Sequence, residues 1–422
     1  MVHSIFYSEI CIINPENVPA KGPVIFAPNH QNALMDALAI LLLVDKQPVF
    51  MARADIFKKK TVGRILNFLK IIPVFRIRDG VDSLSNNTES FGIALRALGY
   101  GQAVGIMPEG NHGDKQVLRP LKKGIARFAL NAQENFGKTI PVKLVPVGIE
   151  YSHYTAFRSK LLVIFGKPID VTEFLDEYKV NPQVAYNSLR ERLASEMKKN
   201  MINISNSDYY DAIANIKEIY ADRLRQKQGL EDGFYFRFLA EKQITEKLVS
   251  VANENPSFLI DFNFKVSEYL TKLKKLGLAD WVINSEKPDK KTLLFDISRY
   301  LVFLPFYLFA IAVHYIPYKV CDFVANGAKD NQFRSSIKLV LIAFLFPVYY
   351  LLFLVLPFPL ITKLILLLPM PILGVLSFDY FMGLKNQWTK FKYFRMLRQN
   401  NNELAGLKQL KEKIITTLDH LF

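Results

Sequence analysis

What this chain has little of narrows its chemistry first. Two cysteines occur in 422 residues, Cys11 and Cys321. They cannot build a disulfide framework, and both are expected as free thiols in a reducing compartment. No Cys/His spacing suits a metal site, so no metal is expected. There is no Gly-rich P-loop to cradle nucleotide phosphates and no recognisable nucleic-acid motif. The absence of a Gly-x-Ser-x-Gly elbow disfavours a covalent intermediate on serine. Met1 to Pro15 include Glu9 and lack a basic stretch leading into a long apolar core, so no cleaved signal peptide is expected.

What is present points towards a membrane. The net charge is +15, which suits an anionic partner. With 50% hydrophobic residues, 33 Phe and 19 Tyr, that partner is expected to be an anionic lipid surface and small phosphorylated molecules, not nucleic acid. The length allows a full catalytic domain and something more.

Residues 1–175 alternate apolar runs with amphipathic stretches, as βαβ units do. Strands are expected at Ile5–Ile13, Val24–Ala27, Val49–Ala52, Ala103–Met107, Lys143–Ile149 and Leu161–Phe165. Helices are expected at Asn32–Val44, Thr61–Leu69, Thr88–Leu98 and Lys123–Gln133. Residues 176–292 form a charged region of helical periodicity, closed by the polar linker Ser285–Lys291. Residues 293–384 turn oily, with membrane segments expected near 300–316, 339–361 and 364–383. Tyr300–Ile316 is short and interrupted by Pro305, so a re-entrant or interfacial segment is expected there, with one hairpin after it. In the basic tail, 385–422, Leu404, Leu407, Leu410, Ile414 and Leu418 make an apolar stripe expected to lie on a membrane surface. The Lys329 region and the tail are both basic and belong on the cytoplasmic side with residues 1–175.

The stretch Asn29-His30-Gln31-Asn32-Ala33-Leu34-Met35-Asp36 can activate a hydroxyl group. Imidazole titrates near pH ~6.5 and takes a proton near neutrality. A carboxylate on its other nitrogen sets the tautomer and stabilises the imidazolium. Six residues along one helix would turn the two side chains roughly 120° apart. His30 therefore belongs in a loop after a strand, with Asp36 inside the next helix. Pro28 supports the break. On the bland alternative, Asn29 caps a helix beside a surface histidine.

Three further blocks follow in order: Ile72-Pro73-Val74-Phe75-Arg76-Ile77-Arg78-Asp79, then Ile106-Met107-Pro108-Glu109-Gly110-Asn111-His112 with Leu121-Lys122-Lys123-Gly124, then Val145-Pro146-Val147-Gly148-Ile149. Together the blocks resemble those of the glycerophosphate/lysophospholipid acyltransferase family. The His-x5-Asp spacing is one residue longer than that family's, and Met107 stands where Phe is usual. The longer spacing with Ile-Pro-Val-x-Arg looks most like the glycerol-3-phosphate/dihydroxyacetone-phosphate branch. The resemblance covers about residues 1–175. It implies an α/β fold, a mixed sheet flanked by helices, followed by a helical region and C-terminal membrane helices.

The resemblance also implies roles. His30 acts as general base and Asp36 orients it. Arg76, with Arg78 in reserve, clamps the acceptor phosphate. Glu109 accepts hydrogen bonds from the acceptor's glycerol hydroxyl, and Gly110 allows close approach there. Lys122 or Lys123 adds phosphate charge, or faces solvent. His112 is read as a loop histidine. No cofactor is expected; acyl-CoA or acyl-ACP is the co-substrate, with acyl carrier protein and membrane lipids as partners. The acceptor is glycerol 3-phosphate or dihydroxyacetone phosphate, or alternatively lysophosphatidate. A hydrolase with the same pair has no evident use for a phosphate clamp. A non-catalytic lipid-binding scaffold would not need both His30 and Asp36, and thioester release on washed membranes separates it from an enzyme.

Overall fold

The computed structural model describes residues 5–75, 86–283, 285–286 and 290–422. The chain divides into two compact units, Met1–Asn203 with Ala328–Ser336, and Ile204–Gly327 with Ile337–Phe422.

The first unit is built on one mixed sheet. Its strands are β1 (Tyr7–Ile13), β2 (Val24–Pro28), β3 (Val49–Arg53), β4 (Ile71–Val74), β5 (Ala103–Ile106), β6 (Lys143–Tyr151), β7 (Ser159–Phe165) and β8 (Ile169–Asp170). Their order is β1-β7-β6-β2-β5-β3-β4, with β8 also paired to β6. β6 runs antiparallel to β7 and β8, while the other pairings are parallel. The unbroken apolar run of β2 suits its central place, since strands covered on both faces carry no polar alternation. Each expected strand lies within two residues of an observed one. β4 and the short β8 were not expected; β4 carries Pro73, and at the sheet's edge a proline costs no ladder bond.

Helices α1 (Leu34–Leu41), α2 (Lys60–Phe68), α3 (Asn86–Gly99) and α4 (Lys123–Phe136) make the crossovers. Two more, α5 (Leu175–Val180) and α6 (Pro182–Lys199), carry the unit past residue 175, where composition suggests a boundary. Asn181 starts α6 by accepting the Gln183 and Val184 N–H groups. Ala185, Leu189, Leu193 and Met197 then recur on one face and join the core. A buried leucine contributes about 1.5–3 kcal/mol, enough to hold the helix on the sheet despite its charged outer face.

In the second unit, α7 (Tyr210–Lys227), α8 (Phe234–Glu254) and α9 (Pro256–Leu276) precede α10 (Lys290–Asn326), α11 (Gln332–Leu351, whose residues up to Ser336 belong to the first unit), α12 (Leu360–Leu367), α13 (Met370–Arg398) and α14 (Asn402–Leu421). Leu294–Asn326, Gln332–Val355 and Leu360–Arg398 are long and apolar enough to cross a bilayer. The first differs from the interrupted segment expected over 300–316. It is continuous through Pro305 and Pro317, and its 33 residues rise about 50 Å, more than a hydrocarbon core of ~30 Å needs.

The tail also departs from expectation. Leu404, Leu407, Ile414 and Leu418 of α14 are buried against protein, not left for lipid. Polar anchors hold the helix: Glu403 pairs with Lys275 at 2.7 Å, Lys411 with Asp280 at 3.0 Å, and Asp419 accepts from Tyr220 at 2.8 Å. An apolar stripe on a helix does not say whether lipid or protein will cover it.

Candidate active site

Four neighbouring strands deliver the site from their C-terminal ends, where open α/β sheets leave their ligand crevice. β2 is extended past Pro28 by Asn29. Its side chain donates to the Ile149 carbonyl at 3.0 Å and accepts the Ile149 N–H at 2.7 Å. Asn29 is therefore a lock between β2 and β6 and not a helix cap.

His30 follows in the loop, and Asp36 lies in the first turn of α1. His30 Nδ1 stands 2.9 Å from Asp36 Oδ2. Asp36 is fully buried. The same oxygen accepts the Gln31 and Asn32 N–H groups at 2.8 and 2.7 Å, and Oδ1 accepts the Tyr151 hydroxyl at 2.7 Å. The loop thus curls around the carboxylate, which orients one ring nitrogen and leaves Nε2 for chemistry. Burial, and then the Asp36 charge, push the Tyr151 hydroxyl well above its usual range, so it stays a donor.

The residue that lengthens the His–Asp spacing is absorbed with backbone strain. Ala33 has φ 46° and ψ −121°, a region that favours glycine. Such placements cost about 1–3 kcal/mol. Ala33→Gly should therefore unfold at higher temperature and Ala33→Val at lower, a spread of about 1 kcal/mol or more on the same scale. Identical melting of all three would remove the strain.

The turn after β5 supplies Glu109, which is 2% exposed. Its Oε1 accepts the His30 N–H at 2.8 Å. Its Oε2 accepts Arg119 Nε at 2.7 Å and the Arg119 main-chain N–H at 3.2 Å. Burial raises the Glu109 pKa, opposed by Arg119 and these hydrogen bonds. Arg119 Nη2 also donates to the His30 carbonyl at 2.5 Å. Glu109 and Arg119 therefore clamp both main-chain polar groups of His30, and both Glu109 oxygens are engaged by protein. Nothing in the local sequence singles out Arg119, ten residues beyond Glu109 and facing a different strand's loop.

Gly110 has φ +71°, and a Cβ there would sit 3.0 Å from Lys122 Cγ. Lys122 donates its main-chain N–H to Pro108 at 2.7 Å. The Lys123 ammonium reaches Gln183 of α6 at 3.2 Å. Arg53, at the end of β3, reaches Asn111 at 3.1 Å and pairs with Asp55 at 3.1 Å. His112 stands edge-on to His30, with centroids 5.5 Å apart at 81°. Its pKa is lowered by burial first, then by the charges of His30 and Arg53. Arg76 and Arg78 lie outside the described residues. Among the described residues, no three His, Cys, Asp or Glu side chains gather where they could share a metal ion.

Residues 9–150 match the family model described as Acyltransferase. Glycerol-3-phosphate O-acyltransferase 1 of Saccharomyces cerevisiae is 32% identical over 136 residues, which is 32% of this chain and 18% of that protein. Glycerol-3-phosphate O-acyltransferase 2 of the same yeast is 26% identical over 341 residues, 77% of this chain and 44% of that protein. The chain thus matches less than half the length of either yeast relative. The 1-acyl-sn-glycerol-3-phosphate acyltransferase of Bacillus subtilis is 26% identical over 39% of this chain and 75% of that protein.

Proposed function

We propose, from the premise that residues 9–150 form an acyltransferase-family domain, that this chain is a membrane-bound O-acyltransferase. It moves a fatty acyl group from a thioester to the hydroxyl of a glycerol-phosphate acceptor. The observation that carries this reading is the His30–Asp36 pair at 2.9 Å, with Asp36 buried and four-fold hydrogen-bonded. His30 Nε2 takes the hydroxyl proton as the oxygen attacks the thioester carbonyl. The C–O bond forms, the C–S bond breaks, and the proton passes from His30 to the leaving thiolate. A positioned base of this kind contributes roughly 10²–10⁴-fold.

Phosphate binding is assigned to Arg76, with Arg78 beside it in the same block, because guanidinium grips phosphate with two parallel hydrogen bonds. Among the described residues, Arg53 brings a cation to the end of the sheet where His30 lies. Glu109 acts on His30 in this reading, because its Oε1 accepts the His30 N–H while Oε2 accepts twice from Arg119. The apolar helices anchor the enzyme. Its catalytic unit faces the cytoplasm, where acyl thioesters and glycerol phosphates are made.

The two yeast relatives support glycerol 3-phosphate as the acceptor, and the Ile-Pro-Val-x-Arg block keeps dihydroxyacetone phosphate beside it. The Bacillus relative supports lysophosphatidate as a second reading. Washed membranes containing the chain should release thiol from an acyl-CoA only when one of these three acceptors is added. The acceptor with the highest kcat/KM is the substrate. Release that ignores every acceptor would mean hydrolysis, and repeating the assay with acyl-ACP identifies the donor.

A further inference from the structure

We propose that the segment Ala328–Ser336, which follows α10 and includes the first turn of α11, forms a wall of the catalytic centre. In it, Phe333 is a positioning residue that holds His112 against His30. The inference rests on the acyl-transfer reading above for its catalytic consequence, but not for its geometry.

Although this segment lies about three hundred residues from His30, it belongs to the same compact unit. The Phe333 ring meets His112 edge-to-face, 4.8 Å between centroids at 83°. His112 in turn meets His30 at 5.5 Å and 81°. The Ser335 hydroxyl donates to the Tyr154 carbonyl. That carbonyl also accepts Asn32 Nδ2 at 2.9 Å, and the Tyr154 hydroxyl donates to Gln31 at 2.6 Å. Gln31 and Asn32 are the residues whose N–H groups hold Asp36. One short segment therefore touches the His112 turn after β5 directly and reaches the His30 loop after β2 through Tyr154, which lies beyond β6. Ser335 and Ser336 are themselves buried.

The consequence for catalysis is electrostatic. Phe333 keeps water from His112, and a dry imidazole stays neutral. The groups facing His112 are His30, Arg53 and Arg119, which oppose its protonation, and Asp330 of the segment itself, which favours it. If Phe333 is lost, hydration lets His112 take a proton at higher pH. A cation beside His30 makes it a poorer acceptor for the hydroxyl proton, so the form with His112 protonated turns over slowly and the loss of activity on acidification follows His112. The acid limb of kcat/KM moves to higher pH, the direction set by a lowered pKa returning towards its usual value.

The test uses the full chain in membranes and reads two quantities. One is carbethoxylation of His112 by diethyl pyrocarbonate, mapped by mass spectrometry, and the other is the pH profile of kcat/KM. Phe333→Ala should speed His112 modification and lower kcat, each roughly 2- to 10-fold on the scale of an edge-to-face contact, and should raise the acid limb. Phe333→Leu, which restores an apolar cover, should recover most of both. Wild-type reactivity of His112 in Phe333→Ala overturns the wall. Raised reactivity with an unmoved pH profile overturns the positioning role. If Phe333→Ala does not accumulate in membranes, Ser335→Ala loosens the same segment, and unchanged His112 reactivity there overturns the proposal. Absence of transfer in the wild-type chain would sink the acyl-transfer reading, while the modification result still decides whether the wall exists.

Discussion

His30→Ala abolishes acyl transfer, with kcat falling by roughly 10²–10⁴ while expression and membrane retention stay at wild type. Asp36 keeps its bonds to Gln31, Asn32 and Tyr151 when the imidazole is removed, so the loss leaves the core intact. Asp36→Asn should be milder, for a reason specific to this loop. The Gln31 and Asn32 N–H groups both point at Oδ2. They force the amide oxygen to that side and the amide NH2 towards the Tyr151 hydroxyl. His30 keeps its acceptor and its tautomer but loses the negative charge opposite the imidazolium. A charge-assisted hydrogen bond is worth about 1.5–3 kcal/mol, or roughly one to two orders of magnitude in kcat. Steady-state kinetics of both variants checks this, and near wild-type turnover of His30→Ala would remove the base.

Glu109→Ala should be the most damaging change for stability within the site. It strands the Arg119 guanidinium, the Arg119 N–H and the His30 N–H together. Breaking a buried pair by removing one partner costs about 3–5 kcal/mol. Arg119 keeps a quarter of its side chain in water, which favours the lower end of that range. Out of a typical total of about 5–15 kcal/mol, this is a large share. The kinetic signature separates two roles. A residue that holds His30 lowers kcat and leaves the acceptor KM nearly unchanged, whereas one that binds the glycerol hydroxyl raises KM. Thermal unfolding and acceptor kinetics of Glu109→Ala and Glu109→Gln decide between them, and a rise confined to KM would return Glu109 to the substrate.

Much of the architecture was legible in local pattern. Apolar runs such as Val24–Ala27 and Lys143–Ile149 have lengths and flanks that mark strands, and the helical periodicity of 210–276 marks α7 to α9. The offset between His30 and Asp36 already required a loop followed by a helix, because no continuous helix brings the two together. These features depend on neighbours within a few positions, so one sequence determined them.

Tertiary structure decided everything that depends on who covers whom. β4 contains Pro73, and its place at the sheet's edge is what lets a proline sit in a strand without forfeiting a hydrogen bond. The apolar stripe of α14 suits lipid or protein equally, and only the packing of the second unit shows it buried by protein. Nothing in its block shows that Glu109 also bonds Arg119 and the His30 N–H. Phe333 reads as one more aromatic in an oily stretch until it is found against His112. Periodicity records which face of an element is apolar, but not which partner, tens or hundreds of residues away, comes to meet it.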